Sequence, residues 1–398
     1  MECGELGACS FDSHAQKISM KYGILNINKP CGMTSHDVVR DLRRLLGIKK
    51  IGHTGTLDPM ASGVLPVCIG NATRVMEYTE LDFKKYRASM RLGITTDTQD
   101  IWGETLQECP TDGINEDDVR RVLSGMTGLI TQTPPMYSAV KVNGKKLYEY
   151  AREGKQVDVK SRTIFIRSID IENIDLASDE KSVTFSVECS KGTYIRTICE
   201  EAGKALGCGA AMSSLVRTAS GAFRIEDALD LDYLIDTFGS RKIDGEKYFV
   251  QPAGPEGLAE IEKLALPMDF PLVHFGQAIM DEETARRFIN GWHISMRECD
   301  ITRQPEFKND DEGCGLCCEG TPRGEMMHGK TLRGADSKQE EPEDIRIRED
   351  YRHAYNMYVK KAGASGSNIA GNLIFLGVAF YNKKYKKLVA DKVLLTEF

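Results

Sequence analysis

Asp58 is the carboxylate whose surroundings suggest chemistry. It lies in Gly52-His53-Thr54-Gly55-Thr56-Leu57-Asp58-Pro59-Met60-Ala61-Ser62-Gly63-Val64-Leu65-Pro66, among glycines, one histidine and two prolines. Pro59 biases Asp58 toward extended backbone. Gly52, Gly55 and Gly63 permit tight turns and close approach by a ligand. The apolar run from Val64 to Ile69 reads as the buried strand that anchors the loop. Taken alone, an Asp before Pro is most simply a turn residue. The other motifs of the chain decide otherwise.

The elements that must position this loop are legible on both sides of it. Gly23 to Ile27 reads as a short strand. Ser35 then caps a helix with the apolar stripe Val38, Val39, Leu42, Leu45 and Leu46, closed by Gly47. Tyr86 to Leu92 alternates as a strand and Asp117 to Leu123 has helical spacing. Lys160 to Ile171 and Ser182 to Cys189 alternate again, and Tyr194 to Leu206 returns to helix. Strands interspersed with helices without a regular βαβ repeat predict an α+β (mixed α/β) domain, its mixed sheet covered by helices, over residues 21–265. Phe270 to Ile294 and Asn372 to Leu395 predict two halves of a small β-rich domain over 266–398, the second half a hairpin around Tyr381 to Lys387. A charged, Gly- and Ser-rich insertion at about 295–371 separates the halves, and residues 1–20 read as a disordered N-terminal extension.

Composition narrows the partners. The net charge of −7 argues at first against nucleic acid, but it is unevenly distributed. From Lys21 to Asp100 there are 12 Lys/Arg against 8 Asp/Glu, and from Arg120 to Arg167 there are 10 against 3; Arg297 to Asp350 carries 9 against 15. The first two stretches suit phosphate, whereas the acidic insertion would repel it. Twelve scattered cysteines without framework spacing fit reduced thiols. Cys314-Gly315-Leu316-Cys317-Cys318, with Cys299, His293 or His328 nearby, is half a zinc motif, so no metal is expected. The absence of a long apolar run or a leader-like start predicts a cytoplasmic protein outside the membrane.

Six ordered blocks carry a family resemblance. They are Leu25 to Ser35 (Leu-Asn-Ile-Asn-Lys-Pro-Cys-Gly-Met-Thr-Ser), the Gly52 to Pro66 loop, Lys85-Tyr86-Arg87 with Arg91-Leu92-Gly93, Thr96-Asp97-Thr98, Gln132 to Lys141, and Lys191-Gly192-Thr193-Tyr194-Ile195-Arg196. On these the chain resembles the bacterial tRNA pseudouridine synthase B (TruB) family over roughly Lys21 to Arg224, and more loosely beyond. The resemblance implies a pseudouridine synthase catalytic domain with a largely antiparallel mixed sheet, followed by a PUA-like C-terminal domain that the insertion interrupts. It implies an isomerase that converts uridine to pseudouridine in the T loop of tRNA, at position 55 in tRNA numbering, with no cofactor, no obligate protein partner and a monomeric state.

The resemblance also implies the site. Asp58 is the essential carboxylate, suited to the electron-poor anomeric carbon as in retaining glycosidases; adduct formation and sugar-proton abstraction both stay open. Arg196 pairs with Asp58 and orients it, and Asp100 completes the charge network. Tyr86 stacks on the flipped uracil with its hydroxyl near the carbon that loses a proton. His53, Tyr194 and Leu215 meet the target nucleotide. Residues 132–154 form an RNA-clamping insertion in which Lys141, Lys145, Lys146 and Arg152 meet phosphate beside Tyr137, Tyr148 and Tyr150. Lys29 and Pro30, with Asn28, support the catalytic loop. Three other readings compete: an RNA-binding protein without catalysis, a guide-RNA-dependent synthase, and a sugar hydrolase. The full set Asp58, Tyr86 and Arg196 disfavours the first, the 132–154 insertion the second, and the lack of a paired acid the third.

Overall fold

The computed structural model of the chain describes residues 21–79, 83–244, 247–306, 349–360 and 372–398. The expected N-terminal extension, Cys314, Cys317, Cys318 and His328 lie outside the described residues.

The first half of the chain runs β1 (Tyr22–Lys29), α1 (Ser35–Leu46), β2 (Ile51–His53), β3 (Ser62–Gly70), β4 (Lys84–Leu92), β5 (Ile94–Thr96), β6 (Thr105–Glu108), α2 (Glu116–Ser124), β7 (Gly128–Gln132), β8 (Lys141–Val142), β9 (Lys145–Lys146) and α3 (Leu147–Arg152). There follow β10 (Arg162–Asp175), β11 (Ser182–Cys189), α4 (Ile195–Leu206), β12 (Ala210–Ser220), β13 (Phe223–Arg224), β14 (Leu229–Asp230), α5 (Leu231–Phe238), the hairpin β15 (Ser240–Asp244) and β16 (Lys247–Gln251), and α6 (Pro255–Leu264). The main sheet has the order β14-β1-β3-β12-β4-β11-β10-β7. Its joins are antiparallel except β1 with β14 and β3 with β12, which are parallel. The patterns predict a mixed sheet and the resemblance a largely antiparallel one, and the observed sheet is both. On one face Leu25, Ile27, Leu65, Val67, Ala88 and Met90 share a core with α1 and α4, while Ile24, Val64 and Cys68 face the other way.

Two local expectations are corrected. The N-cap of α1 is Thr34, not Ser35: the Thr34 hydroxyl accepts from the Asp37 N–H, and the Asp37 carboxylate accepts in return from the Thr34 N–H. Ser35 is the first helical residue and turns its hydroxyl inward, where it is needed by the loop before β3. Phe270 to Ile294 is not all β. It contains β17 (Gly276–Met280) and then α7 (Glu282–Ile289), capped by Asp281, which accepts from the Thr284 N–H at 2.7 Å. Glu282 and Glu283 in the first turn and Arg286 and Arg287 in the last favour that helix electrostatically.

The remaining strands are β18 (Ile294–Ser295), β19 (Asp300–Arg303), β20 (Ala354–Lys360), β21 (Leu373–Asn382) and β22 (Lys387–Val393). They form with β17 a second sheet in the order β18-β22-β21-β20-β17-β19, so the stretch at about 295–371 expected as an insertion itself supplies two strands, β19 and β20. The predicted hairpin is β21 with β22, paired from Asn382 and Lys387 back to Gly377 and Val393. One apolar cluster joins the two sheets: Ile24, Val64, Cys68, Ala72, Val75 and Tyr78 from the first pack with Met268, Leu272, Phe275, Ile279, Tyr351 and Val378. Polar contacts frame it. Asn71 donates to the Leu394 carbonyl at 2.9 Å, Lys392 pairs with Glu77 at 2.9 Å, and the Tyr78 hydroxyl bonds the Asp391 carboxylate.

Candidate active site

The loop that carries Asp58 links β2 to β3 and is fixed mainly from the segment between β1 and α1. The Ser35 hydroxyl accepts from the Leu57 N–H at 2.8 Å and donates to the Leu57 carbonyl at 3.0 Å. The Pro59 carbonyl accepts from the Gly32 N–H at 2.9 Å and from the Lys29 ammonium at 3.0 Å. Lys29 is wholly buried and also donates to the Pro30 carbonyl at 2.9 Å. Burial pulls its pKa down to about 8, yet its carbonyl acceptors favour the ammonium form. Leu57 and Ala61 sit in the core, so the loop is anchored on both sides of a carboxylate whose side chain is 41% exposed.

Arg196, in the first turn of α4, meets that carboxylate from below. Its side chain is only 5% exposed, and Nε lies 3.0 Å from Asp58 Oδ2. The contact is an ion pair by distance; Nε has no acceptor aligned with its N–H. The other guanidinium nitrogens are committed to backbone: Nη1 donates to the Thr98 carbonyl and Nη2 to the Tyr137 carbonyl, each at 2.9 Å. Asp100 Oδ2 is 3.9 Å from Nη1, at the edge of ion pairing. Its Oδ1 accepts from the Thr98 hydroxyl at 2.6 Å and from the Trp102 N–H at 3.2 Å. Asp100 therefore shapes the turn after β5 and adds negative charge beside Arg196 as well.

Tyr86 projects from β4 onto the α1/α4 face, half-buried against the core. Burial is the main cause of its raised pKa, opposed by the positive charge of Arg217, its cross-strand partner on β12. His53 ends β2. Burial first, and Arg217 second, hold its pKa below the ordinary imidazole value, and Nδ1 is buried without a partner. A neutral imidazole results. Leu215 is buried in β12, opposite Ala88 of β4. Tyr194 occupies the N-cap position of α4. Gln132 clasps its backbone from both sides, accepting from its N–H at 2.8 Å and donating to its carbonyl at 3.1 Å, while the Arg162 guanidinium lies 5.0 Å above its ring.

The fold thus brings Asp58, Arg196 and Asp100 into one charge network and sets Tyr86 and His53 around Arg217. The basic residues of the 132–154 segment lie on the β8–β9 hairpin and α3. Lys141 and Lys146 pair across the β8–β9 hairpin, whose two-residue turn Asn143-Gly144 has positive φ at both positions, 52° and 81°. Lys141 is exposed. Lys145 is ion-paired with Glu153 and lies 4.9 Å over the Tyr150 ring; Lys146 and Arg152 lie 5.4 and 5.3 Å over Tyr148. These cations are organised on aromatic faces.

Arg217 and Gln132 are the participants that sequence reasoning did not single out as site residues. A basic residue inside the apolar run of β12, where solvent is excluded, was the available signal. Among the described residues no group of three or more His, Cys, Asp or Glu side chains converges as a metal site.

Comparison with known proteins shows the family of the chain. The family model described as TruB family pseudouridylate synthase (N terminal domain) matches residues 43–195, and that of the tRNA pseudouridylate synthase B C-terminal domain matches residues 196–273. A tRNA pseudouridine synthase B of Alkaliphilus oremlandii is 44% identical over 272 residues, 68% of this chain and 82% of the relative. One of Geobacillus thermodenitrificans is 40% identical over 308 residues, 77% of this chain and 93% of the relative. In fold, the chain is similar to a protein solved in a Cbf5-Nop10-Gar1 complex, with a TM-score of 0.57 and 24% identity over 94% of this chain and 86% of that one.

Proposed function

Because the chain belongs to the TruB family of pseudouridylate synthases, and is therefore an isomerase, we propose that it converts a T-loop uridine of tRNA to pseudouridine through Asp58. The observation that carries this reading is the half-exposed Asp58 carboxylate, 3.0 Å from a buried guanidinium. Arg196 holds the carboxylate in place and aims it. In the isomerisation the N1–C1′ bond breaks, the base turns, and C5 bonds to C1′. Asp58 assists at the sugar, either by bonding to the anomeric carbon as N1 leaves and releasing it as C5 attacks, or by taking a sugar proton as N1 leaves and returning it as C5 bonds. The C5–H bond then breaks, its electron pair restoring the ring double bond. The proton passes to the Tyr86 phenol oxygen as the phenol gives its own to water, and N1 is protonated from solvent.

The target uridine must leave its stack to reach Asp58. In this reading His53 lines the space it enters, Tyr194 and Leu215 hold the nucleotide, Asp100 steadies Arg196, and Lys141, Lys145, Lys146 and Arg152 engage phosphates of the T arm. Residues 21–265 carry the chemistry and 266–398 form a PUA-like RNA-binding unit. The enzyme works as a cytoplasmic monomer without guide RNA or protein partner. Identities of 40–45% with bacterial tRNA pseudouridine synthase B proteins, over most of their length, favour this over a guide-dependent enzyme.

Incubation of the purified protein with an unmodified T-arm stem-loop, read by nucleoside mass spectrometry, tests the proposal. Pseudouridine should form with wild type and not with Asp58→Asn, which should still bind the RNA. Tight binding by wild type without product would overturn the stand-alone reading.

A further inference from the structure

Arg217 is among the largest side chains buried without residue, 1% exposed. Burying a guanidinium is costly unless its donors are met, so the groups that meet them are informative. Nε donates to the Val64 carbonyl at 2.7 Å, and Nη2 to the Gly55 carbonyl at 3.1 Å. Those two carbonyls stand on either side of the Asp58 loop. Arg217 and Tyr86 are direct cross-strand partners between β12 and β4, which sets the guanidinium beside the Tyr86 ring, and its positive charge acts on the phenol. The loop is moulded around this residue. A Cβ on Gly55 would lie 3.6 Å from Nη1, and one on Gly63 would come within 2.3 Å of the Arg217 carbonyl oxygen.

We propose that Arg217 is a positioning residue, tying both ends of the Asp58 loop to the Tyr86 phenol so that carboxylate and phenol keep one fixed separation across the target uridine. A lysine there offers a single ammonium and cannot span the two carbonyls and the phenol. The inference rests on the reaction proposed above, in which Tyr86 receives the C5 proton. Displacing the phenol should slow that last step selectively, leaving RNA binding intact.

The experiment compares single-turnover rates on T-arm stem-loops carrying 5-protio or 5-deuterio uridine at the target, alongside RNA affinity and thermal midpoint. Wild type should show little isotope effect. Arg217→Lys should turn over slower by on the order of 10²-fold, as for a misplacement of about 1 Å, with unchanged RNA affinity and a clear primary isotope effect. Arg217→Gln serves if the lysine variant does not fold. Tyr86→Phe, which keeps the ring and removes the phenol oxygen, should show the same isotope effect. A folded Arg217 variant that is slow without an isotope effect, or a Tyr86→Phe enzyme lacking one, overturns the inference. A wild type that makes no pseudouridine overturns the reaction on which it rests.

Discussion

Arg196 and Asp58 differ in how far each can adapt, and the difference sets the result of changing either. Arg196 is buried with Nη1 and Nη2 on two carbonyls from separate segments, whereas Asp58 opens to solvent. In Arg196→Lys one ammonium must choose among the Asp58 carboxylate and the Thr98 and Tyr137 carbonyls, leaving acceptors unmet. Single-turnover rates on the T-arm stem-loop should fall by on the order of 10²- to 10³-fold, as when a preorganised donor is removed from a catalytic centre. A rate near wild type would show that the pair is not needed. Asp58→Asn leaves a near-isosteric side chain at an exposed position, so its thermal midpoint should stay close to wild type even though product is lost.

At the scale of elements, the turn into β3 is the most constrained piece of the site. Gly63 has φ +102°, which side chains rarely adopt, and it pairs in parallel with Arg217 of β12 so closely that a Cβ would strike the Arg217 backbone. Gly63→Ala should therefore lower stability by at least about 2 kcal/mol, through strain and clash together. Chemical denaturation of the variant checks this, and a loss under half that size would mean the strands can separate freely. The second element that matters is α4. The Gln132 side chain joins its N-terminal Tyr194 to β7, so one amide links the start of the 132–154 segment to the helix that carries Arg196. Gln132→Ala should slow turnover without altering the Asp58 loop. Unchanged single-turnover kinetics in that variant would remove Gln132 from the site.

Over the whole molecule, the junction between the two sheets carries a titratable group. His274, partly buried beside Phe275 with ring centroids 4.7 Å apart, has its pKa lowered to about 4, chiefly by burial and then by Arg303. Unfolded, it titrates near 6.5. Between these values the unfolded chain binds more protons, so stability rises with pH. The contribution is present above 6.5 and is lost as pH falls toward 4, with a slope of at most about 1.4 kcal/mol per pH unit. Denaturant titrations from pH 4 to 7 should show this slope in wild type and a shallower one in His274→Gln; equal slopes would place the acid sensitivity elsewhere.

What the sequence determined by itself was local or modular. Pro59 and the flanking glycines marked the Asp58 loop, and alternation marked β4, β10 and β11 because a side-chain period of two survives in any surroundings. Six ordered motifs marked the family. It misjudged Ser35, since Thr34 and Ser35 are both good caps and only the demand of Leu57 for a buried hydroxyl separates them. It read the segment containing α7 as strand although the capping residue Asp281 and the charged turns were present. Which residues meet was settled by packing over the whole chain. Arg217 reaches Gly55 across 162 residues because β12 is inserted between β3 and β4, and Arg196 finds its carbonyls 98 and 59 residues away. Strand order and burial depth follow from long-range pairing summed over the whole chain, and no local window of residues contains that sum.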